Sequence, residues 1–339
     1  MINRKMTIYR NSNKKQYVSG RNRSKKYSPP YRRFSFLLNS YLSRWDFGKY
    51  YWRKPIEGFG YQTVGNNDYQ QDYGFHFRTG HLSATAVFDG HGKHPTDLNY
   101  HPHVGRDFCD WIRPKLLDKM NNWKRSLGTL PTRQLLKDWW QKELDWLELL
   151  DDFEYYLRCG TTVAIALCDH TTGNVLTLQF GDSEIYFGTY RVENKQKIRD
   201  VGKELKQRFD LRITNSGKRI NHGPNTLSVG DWFYYGTKER HIEVIKNMVT
   251  VREYIVKHKT PIICMTDGVY DWVKYTTDLI KYPINNVWKF LMVGSKPQEI
   301  ARNLIEGSIY LGLRFGRSWA IKTKWGPEAD NMTAIVGVI

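Results

Sequence analysis

Ser83-Ala-Thr-Ala-Val-Phe-Asp-Gly-His-Gly92 joins a small, β-prone, mostly apolar run to a carboxylate and a turn on two glycines. By length and composition 83–88 is a strand, and it carries Asp89 at its end. An Asp-Gly pair is also a common hairpin turn, so this stretch alone is compatible with a purely structural role. The construction recurs, however. The apolar run 261–265 leads through Thr266 to Asp267-Gly268, with Asp271 one step further on. The run 176–180 leads to Gly181-Asp182, and Asp330-Asn331 stands immediately before the strand-like 333–339. Four strand ends carrying Asp, gathered at one edge, make an oxygen-only cluster of like charge that requires cations. Carboxylate and carbonyl donors without thiolates suit magnesium or manganese, not zinc or copper. Glycine at position 90 lets its carbonyl approach such an ion closely.

Working outward, short β-branched runs continue from about Gly58, including 161–167 and 175–180. Between Arg106 and Leu157 the period changes. Leu136, Trp140, Leu144 and Leu147 fall at three- and four-residue steps, which predicts two amphipathic helices broken near 128–131. Trp139, Trp140 and Trp146 then belong to helix packing, not to a ligand box. Ser295-Lys-Pro-Gln298 fits a capping box for a further helix whose apolar side is Ile300, Leu304, Ile305 and Ile309. Strands, inserted helices and resumed strands indicate an α+β fold in one domain.

The 339 residues are 40% hydrophobic and 25% charged, a globular composition, and the mean hydropathy of −0.62 fits the absence of any run long enough to span a membrane. Cys109, Cys159, Cys168 and Cys264 show neither zinc-ligand spacing nor a disulfide framework, so a reducing, intracellular compartment is expected. The net charge of +18 is unevenly placed. Of 52 lysines and arginines, 15 lie within residues 1–55 beside the single acid Asp46; the remaining 37 face 33 acids. Residues 1–57 therefore read as a basic, disordered tail and 58–339 as the folded domain. The tail fits a solvated segment, a nuclear-localisation, polyanion-binding or docking arm, or a mitochondrial transit peptide. The near balance of the remainder argues against a nucleic-acid binder.

Together these motifs resemble the metal-dependent protein phosphatases of the 2C type. The family's Asp-Gly-His-Gly strand end is similar to Asp89-Gly90-His91-Gly92, its Ser-Gly-Thr-Thr entry to Cys159-Gly160-Thr161-Thr162, and its Gly-Asp-Ser hairpin to Gly181-Asp182-Ser183. Its Asp-Gly-x-x-Asp step resembles 267–271, and its closing Asp-Asn-Met-Thr resembles 330–333. Five weak motifs in the family's order make a strong resemblance. It implies a four-layer α-β-β-α sandwich of two antiparallel sheets flanked by helices, in a monomer acting on phosphoserine or phosphothreonine of a phosphorylated protein. Carried over, Asp89 bridges two Mg2+ or Mn2+ ions, the Gly90 carbonyl binds one, and Asp267 and Asp330 complete the other. Asp182 and Asp271 resemble the ligands of a third, weaker ion in some members. Water held between two cations attacks phosphorus in line while His91 protonates the departing alkoxide.

The segment 65–74 resembles the family's first motif, with Asp72 at its Asp, close behind the metal ligands. Gln71 replaces the Glu, a change found in many members, and Asn67 stands where an Arg binds the substrate phosphate. Losing that charge-assisted bond, about 1.5–3 kcal/mol, weakens activity roughly ten- to a hundredfold. Lys93, Arg53 and Arg78 are the replacement candidates. The loop 93–104, with His94, His101 and His103, reads as irregular surface, given Pro95 and Pro102. The region 191–259, with Arg219 and His222, matches the family nowhere convincingly, so substrate choice stays unread. The competing expectation is a phosphatase-like scaffold that has lost catalysis.

Overall fold

The computed structural model describes residues 9–10, 53–56, 60–63, 70–92, 104–149, 159–221, 225–279, 284–292, 294, 296–315 and 331–339. The strands are β1 Tyr9–Arg10, β2 Arg53–Ile56, β3 Gly60–Thr63, β4 Tyr73–Thr79, β5 Leu82–Phe88, β6 Gly90–His91, β7 Gly160–Thr161, β8 Val163–Asp169, β9 Asn174–Phe180, β10 Glu184–Phe187, β11 Tyr190–Arg191, β12 Val229–Gly230, β13 Thr250–Ile255, β14 Pro261–Met265 and β15 Met332–Val338. The helices are α1 Val104–Leu127, α2 Arg133–Leu149, α3 Ile198–Phe209, α4 Trp232–Tyr235, α5 Lys238–Met248, α6 Asp267–Leu279, α7 Ile284–Leu291 and α8 Pro297–Phe315. Among the described residues no helix is long and apolar enough to cross a membrane.

Two six-stranded antiparallel sheets form the centre, ordered β1-β13-β9-β8-β5-β4 and β11-β10-β14-β15-β3-β2. Strand β5 shows why they stack. Leu82, Ala84, Ala86 and Phe88 join the core shared with α1 and α2, and the alternate Val87 joins the core between the sheets with Ile185, Cys264 and Ile335. Every residue of β5 is buried, as a strand covered on both faces must be. On α1 the buried residues Val104, Phe108, Ile112, Leu116 and Met120 recur every fourth position, so one face meets the first sheet. Phe108 packs its ring against Phe88 at 5.6 Å and Trp140 at 6.2 Å, between centroids. Helices α6, α7 and α8 cover the second sheet through Val269, Val273, Trp288, Leu304 and Ile305. The four layers expected of the sandwich are present.

Both predicted helices in the 106–157 stretch form, and Gly128 closes the first with φ +66° and its N–H on the Lys124 carbonyl at 3.2 Å. Trp139 and Trp140 are buried as expected, whereas the side chain of Trp146 lies outside the described residues. Helix α8 begins at Pro297, the tolerated first-turn position. The expected strand at 161–167 is two strands. Thr162 breaks the run by donating its N–H to the Asp89 carbonyl at 2.9 Å, so β7 leaves the first sheet while β8 stays in it. Of the basic tail, β1 pairs with β13 and β2 pairs with β3; the remainder lies outside the described residues. All four cysteines are free and buried.

A polar pair sits between the sheets. His76 Nδ1 and Thr85 Oγ1 are 3.0 Å apart, and a Cβ at Gly337 on the opposite sheet would lie 2.6 Å from that hydroxyl and 2.8 Å from the imidazole. Burial, then His170 and Arg78, pushes His76 down to about 4 from an ordinary 6.5; burial alone does the same to His241. Below pH 6.5 the unfolded chain takes up protons that the folded chain refuses until about pH 4. The two histidines therefore withdraw stability as pH falls through that window, on the order of 2–3 kcal/mol each. Thermal melts from pH 7.5 to 4.5 should show a shallower loss in His76→Gln than in the wild type; identical slopes would contradict this account.

Candidate metal centre

A third, three-stranded sheet of two-residue strands, β12-β7-β6, sits where β5 ends. It pairs Gly90 with Thr161, His91 with Gly160, and Gly160 with Gly230, and so draws three Gly-containing segments side by side. Glycine is required here by close approach. A Cβ on Gly90 would lie 2.3 Å from the Gln71 carbonyl and 2.6 Å from the Gly105 nitrogen at the start of α1. The reason for glycine that the structure displays is thus this crowding.

The carboxylates then converge. Asp89 leaves β5 and receives the Asp267 N–H on Oδ2 at 3.4 Å. Asp267 opens helix α6 and makes no hairpin; an acid in a first turn is favoured by the helix dipole. Asp271 lies one turn on. Asp182 occupies the β9–β10 turn, where Gly181 has φ +100° and a Cβ on it would lie 2.5 Å from Thr162, and the Thr162 and Ser183 hydroxyls are 2.6 Å apart. Asp72 is buried one residue before Tyr73, which pairs with Phe88, so the antiparallel register sets it across from the position of Asp89. Gln71 N–H bonds Asn331 Oδ1 at 2.9 Å and Gln70 Nε2 bonds Thr333 Oγ1 at 3.1 Å, tying this segment to the start of β15.

Burial pushes the Asp267 carboxyl well above the ordinary carboxylate range, reinforced by Asp182, Asp89 and Asp271 and opposed by Lys197. Burial likewise raises Asp271. Oxygen donors of one charge, forced toward protonation, fit a hard divalent cation, and Asp89, the Gly90 carbonyl and Asp267 are the described residues that could hold it. Among the described residues no three His, Cys, Asp or Glu side chains form a ready-made cage. Asp330 and Asn67 lie outside the described residues, as do Lys93, His94, His101, His103 and His222.

His91, with a third of its side chain exposed, meets the buried carboxylate of Asp231 through Nε2. Asp231 also accepts the Ser228 hydroxyl at 2.7 Å, and the Ser228 carbonyl meets His241 Nε2 at 3.1 Å. Asp231 adopts φ 58°, held by its N–H on the Cys159 carbonyl at 2.9 Å, and a Cβ on Gly160 would lie 2.7 Å from its Oδ2. Reasoning from sequence missed Asp231. The signal was present, since Leu227-Ser-Val-Gly-Asp231 repeats the pattern of a short apolar strand followed by Asp. Arg78 pairs with Ser83 at the far end of β4 and donates to the Gly80 carbonyl at 2.7 Å, so it does not reach the site. Only the backbone of Arg53 is described, in β2. Arg219 sits in the 213–220 turn, and Arg191 is paired with the buried Glu184.

A sequence profile of protein phosphatase 2C matches residues 59–305. The chain belongs to the protein phosphatase 2C family. No curated protein sequence matches it. The serine-threonine phosphatase 2C from Toxoplasma gondii superposes with a TM-score of 0.52 at 17% identity, covering 84% of this chain and 98% of that one. A C. elegans sex determining protein superposes with a TM-score of 0.55, also at 17% identity, covering 84% of this chain. This chain spans 65% of the length of the nematode protein. At such identity the likeness is one of fold.

Because Asp267 sits among like charges, Asp267→Asn should raise the melting temperature in EDTA, and the rise that manganese is expected to produce in the wild type should be absent from it. For the wild type that rise corresponds to about 2.7 kcal/mol at a hundred times Kd. Scanning calorimetry with and without manganese checks both halves.

Proposed function

We propose that this phosphatase 2C family member hydrolyses phosphoserine or phosphothreonine in proteins with the help of Mg2+ or Mn2+. The observation that carries the reading is the convergence of Asp89, Asp267, Asp182 and Asp271 beside a histidine held by a buried carboxylate. Two divalent ions, when bound, supply a water of lowered pKa and offset charge on the phosphoryl oxygens. The chain's own residues do the rest. Asp89 and Asp267, with Asp330 by resemblance, hold the ions in place.

The carboxylate of Asp231 can only accept, so it fixes the proton of His91 on Nε2. Delivery of a proton to the departing alkoxide then falls to Nδ1, and Asp231 orients the ring and stabilises the imidazolium. The basic tail, apart from β1 and β2, serves as a localisation or docking arm inside the cell. The scaffold reading has one observation in its favour, the ammonium of Lys197 among the carboxylates, which supplies part of the counter-charge without metal.

Hydrolysis of a phosphothreonine peptide decides between the two. Turnover should require manganese and fall by on the order of 10²–10³ in Asp89→Asn. Absent turnover would favour the scaffold, and metal-independent turnover would overturn the metal-dependent mechanism. Asp231→Asn should lower kcat on the same peptide by roughly a hundredfold. It should scarcely alter hydrolysis of p-nitrophenyl phosphate, whose leaving group needs no proton. Equal losses on both substrates would show that Asp231 acts otherwise.

A further inference from the structure

Lys197 is out of place by every local rule. It occupies the N-cap of α3, where Ser, Thr, Asp and Asn are preferred and where the positive end of the helix dipole repels a cation. Its side chain makes no capping bond. It points instead into the acidic cluster, with Nζ 3.2 Å from Asp182 Oδ2, 3.6 Å from Asp271 Oδ2 and 3.8 Å from Asp267 Oδ2. Three carboxylates from two separate segments thus surround one ammonium, which offers three N–H donors.

The lysine is rooted firmly. The preceding Gln196 is buried and accepts the Gly181 N–H on Oε1 at 2.6 Å. Its Nε2 donates to the Gln179 and Met248 carbonyls and the Thr250 hydroxyl at 2.8–3.2 Å. Asn194 Nδ2 donates to the Gly181 and Ser183 carbonyls at 3.0 and 2.9 Å, bracketing Asp182 from the same side. Lys197 itself bridges Thr226. The segment that delivers the ammonium is therefore stitched to the turn that delivers Asp182, and the two are placed as a unit.

We propose that Lys197 is a built-in cation that takes the place of a third divalent ion between Asp182 and Asp271. The centre is then a two-ion site whose outer carboxylates are satisfied by the protein. This rests on the metal-dependent reading above and concerns only the Asp182–Asp271 side. An ammonium is a compact point charge well matched to oxygen ligands, and, being covalently attached, it is present at any metal concentration. The chain accordingly needs no weakly held third ion to relieve the repulsion among Asp182, Asp267 and Asp271.

The test is a count of manganese ions bound to the full-length protein, by equilibrium dialysis or by the electron-spin signal of free Mn2+ up to millimolar concentration. Wild type and Lys197→Arg should bind two ions per chain. Lys197→Met, which keeps an unbranched chain of nearly the same length and loses the charge, should bind a third at millimolar manganese. It should also melt several degrees lower in EDTA, and millimolar manganese should recover the difference. Lys197→Gln is the second neutral variant should the methionine form fail to fold. Equal, non-zero counts in wild type and neutral variants overturn the proposal while leaving the two-ion centre standing. A wild type that binds no ion overturns both.

Discussion

Four aspartates of one charge are brought to a single edge of the fold, and this electrostatic demand organises what surrounds them. Asp89, Asp182, Asp267 and Asp271 arrive from different strand ends and from the first two turns of α6, and the burial of Asp267 among its neighbours raises its affinity for protons. Such an arrangement is unfavourable until opposite charge enters it. The sandwich tolerates it because its three apolar cores are formed elsewhere, between and outside the sheets. Lys197 supplies opposite charge from the protein itself, and divalent ions are what the proposed function adds to it.

The second constraint is backbone proximity. The small sheet of β6, β7 and β12 brings Gly90-His91, Gly160-Thr161 and Val229-Gly230 into pairing, and the site exists only where they meet. Side chains are excluded at these contacts. Gly90 touches Gln71 and Gly105, Gly160 touches Asp231, and Gly230 at φ +105° lies against the Cys159 carbonyl. Asp231 in the left-handed region is the kind of local departure that a functional site imposes and its hydrogen bonds maintain. Rigidity at the centre thus comes from peptide groups, and the side chains above it inherit their positions.

Much was legible before the structure because it depends on local pattern. The β-branched run ending in Asp89, the helical period through Leu136, Trp140 and Leu144, and the repeated strand-then-Asp construction identify elements and candidate ligands from neighbours in sequence alone. The crowding of Gly90 against the start of α1 could not be seen in the sequence, because Gly105 lies in a different element. The pairing of His91 with Asp231 spans 140 positions, and no periodicity reports a contact at that separation. Arg78 looked suitable by charge, yet the antiparallel register with β5 carries it to the opposite end of its strand.

The sequence by itself determined the α+β class and the family, and it named the aspartates and the histidine that are candidates for a metal centre. These properties reside in residue type and short-range spacing, which the chain states directly. Only the tertiary structure decided that the 161–167 run divides at Thr162, that Asp231 stands behind His91, and that the ammonium of Lys197 lies among Asp182, Asp267 and Asp271. Those outcomes depend on the distances between segments far apart in the chain, and such distances are set by sheet register and helix packing, which no single segment contains.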